Sequence, residues 1–428
     1  MLKKFSISII IIIGLILSIA FFMGYNQNNP KIVNKIHSGL SVKADPPIQI
    51  LGDGGFASFP GFGNEAHPYL IENFIINSGA ADGMWIQDTL AYFIIRNCTV
   101  TNLVNGIRLN NVSNGIIENT TLNSNGRGWY AYTSGNITIT NSTLIGNSID
   151  GIYLNRAYNM NISHTTATNN NYGIRIYDGN NCRIINNTAM YNSVQGIHLQ
   201  LSNDLLIAEN TASENTFSGD GIRLIEVNNS KVVNNTANNN GDDGISGWKC
   251  HHNEIINNTV QIAVTGIGFS SSTYNNITDN FVTDASNVGI NLYHSNNSNV
   301  IDNEVYSSRL GIYLFTSHHN FVARNTVEFT IYNAISLYDH SSYNTIHNNT
   351  CNDNHRGIYI WEFSNYNTIT WNKFNNNAVC IGEITCFGNV IQNNDCQNTT
   401  GDYIPGFEWI FVFMAIGSII FWGKIKKR

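Results

Sequence analysis

The chain has 428 residues, enough for two ordinary domains, yet only 12% of them are charged. All 29 acidic residues lie between positions 44 and 423 with only 13 of the 22 basic ones, giving that stretch a formal charge of about −16. Such a surface excludes nucleic acid and other polyanions as direct partners unless a cation intervenes.

Residues 1–24 carry Lys3 and Lys4, then run apolar from Ser6 to Met23. The Ser18-Ile19-Ala20 spacing suits a signal peptidase, while the same run is long enough for an uncleaved anchor; both readings export the repeats. Residues 25–46 are polar and mixed and are expected to form a linker. Residues 47–82 depart from the pattern after them and are expected to cap it, with Gly61, Gly63 and Pro68 bending the entry chain over an exposed core end.

From residue 83 to about residue 400 the chain repeats. An opening Gly-Ile-x-Leu recurs at Gly83, Gly106, Gly128, Gly151, Gly173, Gly196, Gly221, Gly244, Gly266, Gly289, Gly311, Ala334 and Gly357, at intervals averaging about 23 residues. Within a unit Ile312 and Leu314 share one face and Tyr313 and Phe315 the other, a period of two that excludes helix. Polar residues Thr316 to Asn320 turn the chain, Phe321 to Ala323 form a second strand, and Asn325 marks a further turn. Each unit is therefore one coil of a parallel β-helix, about thirteen coils of 22–25 residues in an all-β fold. The opening Gly is read as a bend at which a side chain or a negative φ would be costly.

Asn187, Asn210, Asn235, Asn258, Asn280, Asn303, Asn325, Asn349, Asn372 and Asn394 fall in one column and predict an asparagine ladder. Cys98, Thr120, Ser142 and Thr165 hold that column in the first four coils, so the ladder is expected to start at Asn187. Inward pairs such as Ile107/Leu109, Ile197/Leu199, Ile290/Leu292 and Ile358/Ile360 predict a continuous aliphatic core.

These repeats resemble the NosD-like and pectin-lyase-like proteins, whose units read G-I-x-L followed by N-x-I-x-x-N-x-V. The resemblance implies a single right-handed parallel β-helix over residues 47 to about 400. It leaves activity open, since that fold carries lyases, hydrolases, epimerases, adhesins and accessory proteins. Residues 61–73 resemble the segment that opens many NosD-like domains. Beyond the 401–406 linker, Pro405-Gly406-Phe407, the apolar run 407–423 and the basic tail 424–428 resemble an archaeal PGF-type surface-sorting signal. A sorted or a simply anchored chain would leave the rod outside the membrane and the tail in the cytoplasm.

Outward positions of the opening strand are rich in aromatic and polar side chains. Arg175, Tyr177, Trp248, Tyr293, Tyr313, Phe315, Tyr338, Tyr359 and Trp361 are the residues expected to bind carbohydrate, whose rings offer C–H faces and hydroxyls together. The same residue types are also what strands favour.

Asp220 and Asp243 each precede an opening Gly in adjacent coils, with Arg223, His198, Asp242 and Glu226 near them. Two such carboxyls cannot both ionise cheaply, which would let one act as an acid. Asp-Gly is also ordinary turn chemistry. The 25-residue interval from Gly196 to Gly221 places extra residues at 213–220, expected to build a pocket wall.

His251-His252 and His318-His319, with His294 and His340, are the residues a metal would need, but the two pairs stand three coils apart and no metal or cofactor is expected. One disulfide among Cys380, Cys386 and Cys396 is expected to close the last coil. Glycosylation triplets begin at Asn186, Asn234, Asn257 and Asn348, and at Asn111, Asn136, Asn161, Asn276 and Asn398. Together these features describe an exported, membrane-tethered rod that binds glycan. The alternatives are a polysaccharide hydrolase, lyase or epimerase acting at Asp220/Asp243, a structural or adhesive surface rod, and a metal-delivery accessory protein.

Overall fold

Alternation along each opening strand sends its aliphatic pair inward: Met84, Ile86, Ile290, Leu292, Ile312 and Leu314 are all fully buried. The computed structural model describes residues 44–77, 81–216 and 218–397. The expected segments 1–24 and 401–428, and most of the linker 25–46, lie outside these residues. Among the described residues no helix is long and apolar enough to cross a membrane.

Named strands pair in parallel from one coil to the next, for example Ile290 with Ile312 and Leu314 with Leu337. The second-strand sheet stacks fifteen strands, one per coil, from Tyr69–Glu72 to Val390–Gln392. Thirteen opening positions become fifteen coils because Ile48–Leu51 pairs ahead of Gly83 and Val379–Ile384 pairs after Gly357. Residues 47–82 thus supply a first coil, and within them the 3-10 turn Asp53–Phe56 buries Phe56 over the core end.

The opening glycines are explained by space alone. None has a positive φ, which corrects the expectation that a negative φ would be costly there. A Cβ on Gly106 would stand 2.6 Å from the carbonyl oxygen of Gly128, and one on Gly311 would collide with Ala334 and Val327. At Ala334 the register carries Val327 onto Cys351, so the valine methyl that crowds Gly311 has no counterpart there.

Left-handed backbone is used at the corners instead. Asn186, Asn234, Asn257 and Asn348 turn the chain at φ 55, 56, 52 and 52 degrees, a conformation Asn tolerates better than most residues. They are exposed, while the next residue in each triplet is the buried ladder amide.

The ladder runs as expected from Asn187 to Asn394. Each Nδ2 donates to the Oδ1 of the next coil toward the C-terminus, as from Asn280 to Asn303 (2.9 Å) and Asn303 to Asn325 (3.0 Å). Each also reaches a carbonyl, as Asn303 does at Ile277 (2.8 Å). Thr165 joins through its N–H to Asn187 Oδ1 (3.0 Å).

Two further columns of this kind were not singled out in the sequence. Asn125, Asn147, Asn170, Asn192, Asn215 and Asn240 form one. Asn253 and Asn275 begin another, which passes through Ser298 to Asn320, Asn344, Asn367 and Asn389. Cys380 and Cys396 form the disulfide of the last coil and Cys386 remains a free thiol.

Candidate functional site

The outward face of the opening sheet is built from the second and fourth residues after each opening position. The residue just before that position leans onto the same face: Asp82, Asp150 and Asp220 reach Arg108 (3.3 Å), Arg175 (2.7 Å) and Arg223 (3.1 Å).

Asp220 is fully buried. Its Oδ2 accepts from Arg223 Nη1 (3.1 Å) and Ser246 Oγ (2.7 Å), and its Oδ1 from the Asp243 N–H (3.2 Å). Asp243 accepts the Thr265 N–H (3.1 Å). Burial, then the charges of Asp220 and Asp242, push the Asp243 carboxyl up to about 7. Burial also raises Asp220, against the pull of Ser246 and Arg223.

The structure therefore brings Asp220, Asp243, Arg223 and Asp242 into one electrostatic unit. Asp242 is held through its backbone, between Gly219 O (3.2 Å) and Val264 N (2.7 Å). His198 pairs in register with Arg223. Its Nδ1 lies 2.6 Å from Gln195 Oε1, an atom that only accepts, so Nε2 carries the lone pair. Burial holds this imidazole down to about 4, hence neutral. Glu226 stands apart, paired with Lys249 (3.7 Å).

Beside Asp243 opens a cavity of about 210 Å³, lined by Arg223, Asp243, Ser246, Trp248, Gly268 and Asn291 among others. It exists because the outward column shrinks to Ser246 and Gly268 between Arg223 and Asn291. Beneath it the inward column compensates, Gly247 giving Phe269 its room. The expected wall at 213–220 does not line this cavity; Trp248 does, with Lys249 Nζ 4.2 Å over its ring.

The remaining aromatic positions form a row of a different kind. Tyr293 stacks on Phe315 (4.9 Å) and Phe315 on Tyr338 (5.6 Å), while Trp361 meets Tyr338 edge-on (4.8 Å). Tyr313 and Tyr359 tilt against this row at 6.2 Å from Phe315 and 6.1 Å from Trp361. Within it the rings cover one another's faces and leave edges and hydroxyls outward. Tyr177 stands exposed on its own coil.

Asp150 was missed in the sequence. It is fully buried and clamped by Arg127 (3.1 Å) and Arg175 (2.7 Å), with Arg175 also lying over Tyr153 (4.3 Å) and Tyr172 (4.5 Å). The signal was available: Asp150 precedes an opening Gly just as Asp220 and Asp243 do.

Residues 61–189 and 172–327 match the sequence pattern of the right-handed beta helix region, together spanning most of the chain. The chain belongs to the right-handed β-helix family. Residues 284–404 of this β-helix protein also match the periplasmic copper-binding protein NosD. Of the histidines in that stretch, His318 Nδ1 takes the Ser342 N–H (3.3 Å), while His340 Nδ1 is engaged by Asp339 (2.8 Å), which leaves its Nε2 open. Among the described residues no three His, Cys, Asp or Glu are grouped to hold a metal ion.

No protein of curated function matches the chain. Solved structures similar to it include the A-module of Azotobacter vinelandii mannuronan C-5 epimerase AlgE6, at 13% identity, TM-score 0.44, and 77% and 90% of the two chains covered. Another is PfbA, a surface adhesin of Streptococcus pneumoniae, at 12% identity, TM-score 0.42, covering 69% and 84%. DFA-IIIase from Arthrobacter chlorophenolicus A6 aligns at 13% identity, TM-score 0.45, covering 68% and 88%. Likeness of this degree says nothing of what the β-helix protein here binds.

Proposed function

We propose that this β-helix protein binds a linear glycan along its outward opening-strand face, with one sugar unit seated in the cavity of Asp243, Trp248 and Asn291. One observation carries the reading. Elsewhere the ladders satisfy buried polar groups. On this face Trp85 Nε1, Asn105 Oδ1, Arg108 Nε, Asp150 Oδ1, Arg175 Nε, Asn291 Oδ1 and Asn333 Oδ1 are buried without a protein partner. All seven belong to two adjacent columns, the residue before each opening position and the second after it. Among the described residues only Trp129 Nε1 shares this condition elsewhere.

Buried donors and acceptors are normally paired, so a file of unpaired ones calls for a ligand that supplies hydroxyls at intervals along the axis. The file runs roughly 50 Å at about 4.8 Å per coil. Titration calorimetry of oligosaccharides against the full-length protein and its Trp248→Ala variant tests this. Binding should weaken about tenfold on loss of the ring, and equal affinity would remove the cavity from the site.

A second reading, that the face also performs chemistry, is favoured by the Asp243 carboxyl, which burial and its neighbours push up to about 7 beside a fully buried Asp220. In this reading Asp243 protonates a leaving oxygen or sugar carbon while Asp220 stays fixed by Arg223 and Ser246. Hydrolase, lyase or epimerase products should then vanish in Asp243→Asn. We also read residues 1–24 as the export signal or anchor and 407–423 as a membrane span that tethers the rod outside the cell.

A further inference from the structure

The two ends of the rod are finished differently. At the first coil Phe56 lies buried across the core, stacked on Tyr69 (4.7 Å) and Phe93 (5.7 Å), and Phe59 meets Phe74 edge-on (6.3 Å). Among the described residues nothing does this at the last coil. Val390–Gln392 and Asp395–Gln397 are exposed along their whole length. Ile391, which continues the core column of Ile369, is 40% exposed. Ile384, Phe387 and Val390 of the same coil stand out at 49%, 56% and 46%. The Cys380–Cys396 disulfide ties this coil to itself, so the end face is a fixed surface.

Large exposed apolar side chains gathered at one place mark a contact surface. What covers this one is indicated by the sequence just beyond it. The described chain ends on that face at Gln397, and soon afterwards come Pro405-Gly406, the apolar run Phe407 to Trp422 and four basic residues. A connection of nine residues reaches at most about 30 Å, which keeps a bilayer holding that run close enough for the end face to meet it.

We propose that the C-terminal end face of the rod, with Ile384, Phe387, Val390 and Ile391, rests on the headgroup layer of a lipid bilayer and holds the rod upright on it. This builds on the reading of 407–423 as a membrane span. Exposed apolar side chains are more stable covered by that layer than in water. Glu383 and Asp395, exposed on the same coil, keep the face out of the acyl region and select net-neutral over anionic lipid.

The full-length protein carrying Cys386→Ser and Phe387→Cys, labelled with an environment-sensitive dye, is reconstituted in phosphatidylcholine vesicles containing brominated lipid. Val390→Cys serves as a second reporter, and Ile116→Cys, exposed twelve coils away, as the control. Emission at 387 should shift to the blue and be quenched about twofold more than at 116. Equal emission at both sites in protein that floats with the vesicles overturns the proposal while leaving the span in place. Failure to float removes the span and the proposal with it. A shift that grows with the protein-to-lipid ratio marks a second copy as the occupant and also overturns the proposal.

Discussion

Asn303 shows how much one side chain carries. Its Nδ2 serves Asn325 Oδ1 and the Ile277 carbonyl, and its Oδ1 receives both the N–H and the amide of Asn280. Replacing it by alanine strands donors and acceptors on both sides, and should cost about 3 kcal/mol in denaturant unfolding. Loss below about 0.5 kcal/mol would mean the column tolerates gaps. Asp243 and His198 make a second case through pH. Folded Asp243 keeps its proton up to about 7 against 3.8 for an ordinary Asp, so between those values the fold binds the extra proton and stability falls as pH rises. Folded His198 loses its proton near 4 against 6.5 ordinarily, so its contribution rises with pH up to 6.5. The two oppose each other from about pH 4 to 6.5. Asp243→Asn should therefore give a melting temperature that climbs more steeply across that window than the parent's. Parallel curves would place Asp243 in water.

At the scale of the coil, packing against the layer above decides residue choice. Ala334 and Cys351 form a matched exception to the Gly and Val found one coil earlier at Gly311 and Val327. Cys351→Val should destabilise by about 1 to 3 kcal/mol through overpacking, and Ala334→Gly in the same chain should restore most of it. If the double variant is no better than the single, the pairing is not what admits the alanine. This level of the fold was largely legible in the sequence, because the period and the inward pairs come directly from alternation. The ladder from Asn187 was legible as well, since its amides sit at a constant offset from the opening position. The other two amide columns were masked by the exposed corner asparagines, which have the same letter and a different job. The cavity was not legible, because it arises from what Ser246 and Gly268 lack. The glycine rule was read half correctly, since crowding by the next coil's carbonyl and a need for left-handed backbone both select Gly and only coordinates separate them.

At the scale of the whole rod, each coil touches only its neighbours, so damage should stay local. The Cys380–Cys396 bridge closes a 16-residue segment in the last coil, and a loop of about that size contributes roughly 3 kcal/mol in the chain-entropy account. Replacing both cysteines by serine should speed amide exchange at Val390–Gln392 by about a hundredfold and leave the coils around Asn258 and Asn280 unchanged. Faster exchange throughout would mean the rod unfolds as one cooperative block. The amide columns have a further effect on how copies of the protein meet. Along the ladder from Asn187 each amide passes one hydrogen bond to the Oδ1 of the next coil toward the C-terminus, so the column is a one-way street with Asn394 at its exit. Two such exits brought together would set donor against donor, and at the opposite end of the rod Phe56 covers the core. A molecule made of interchangeable layers is thereby kept from adding a neighbour's layers to its own.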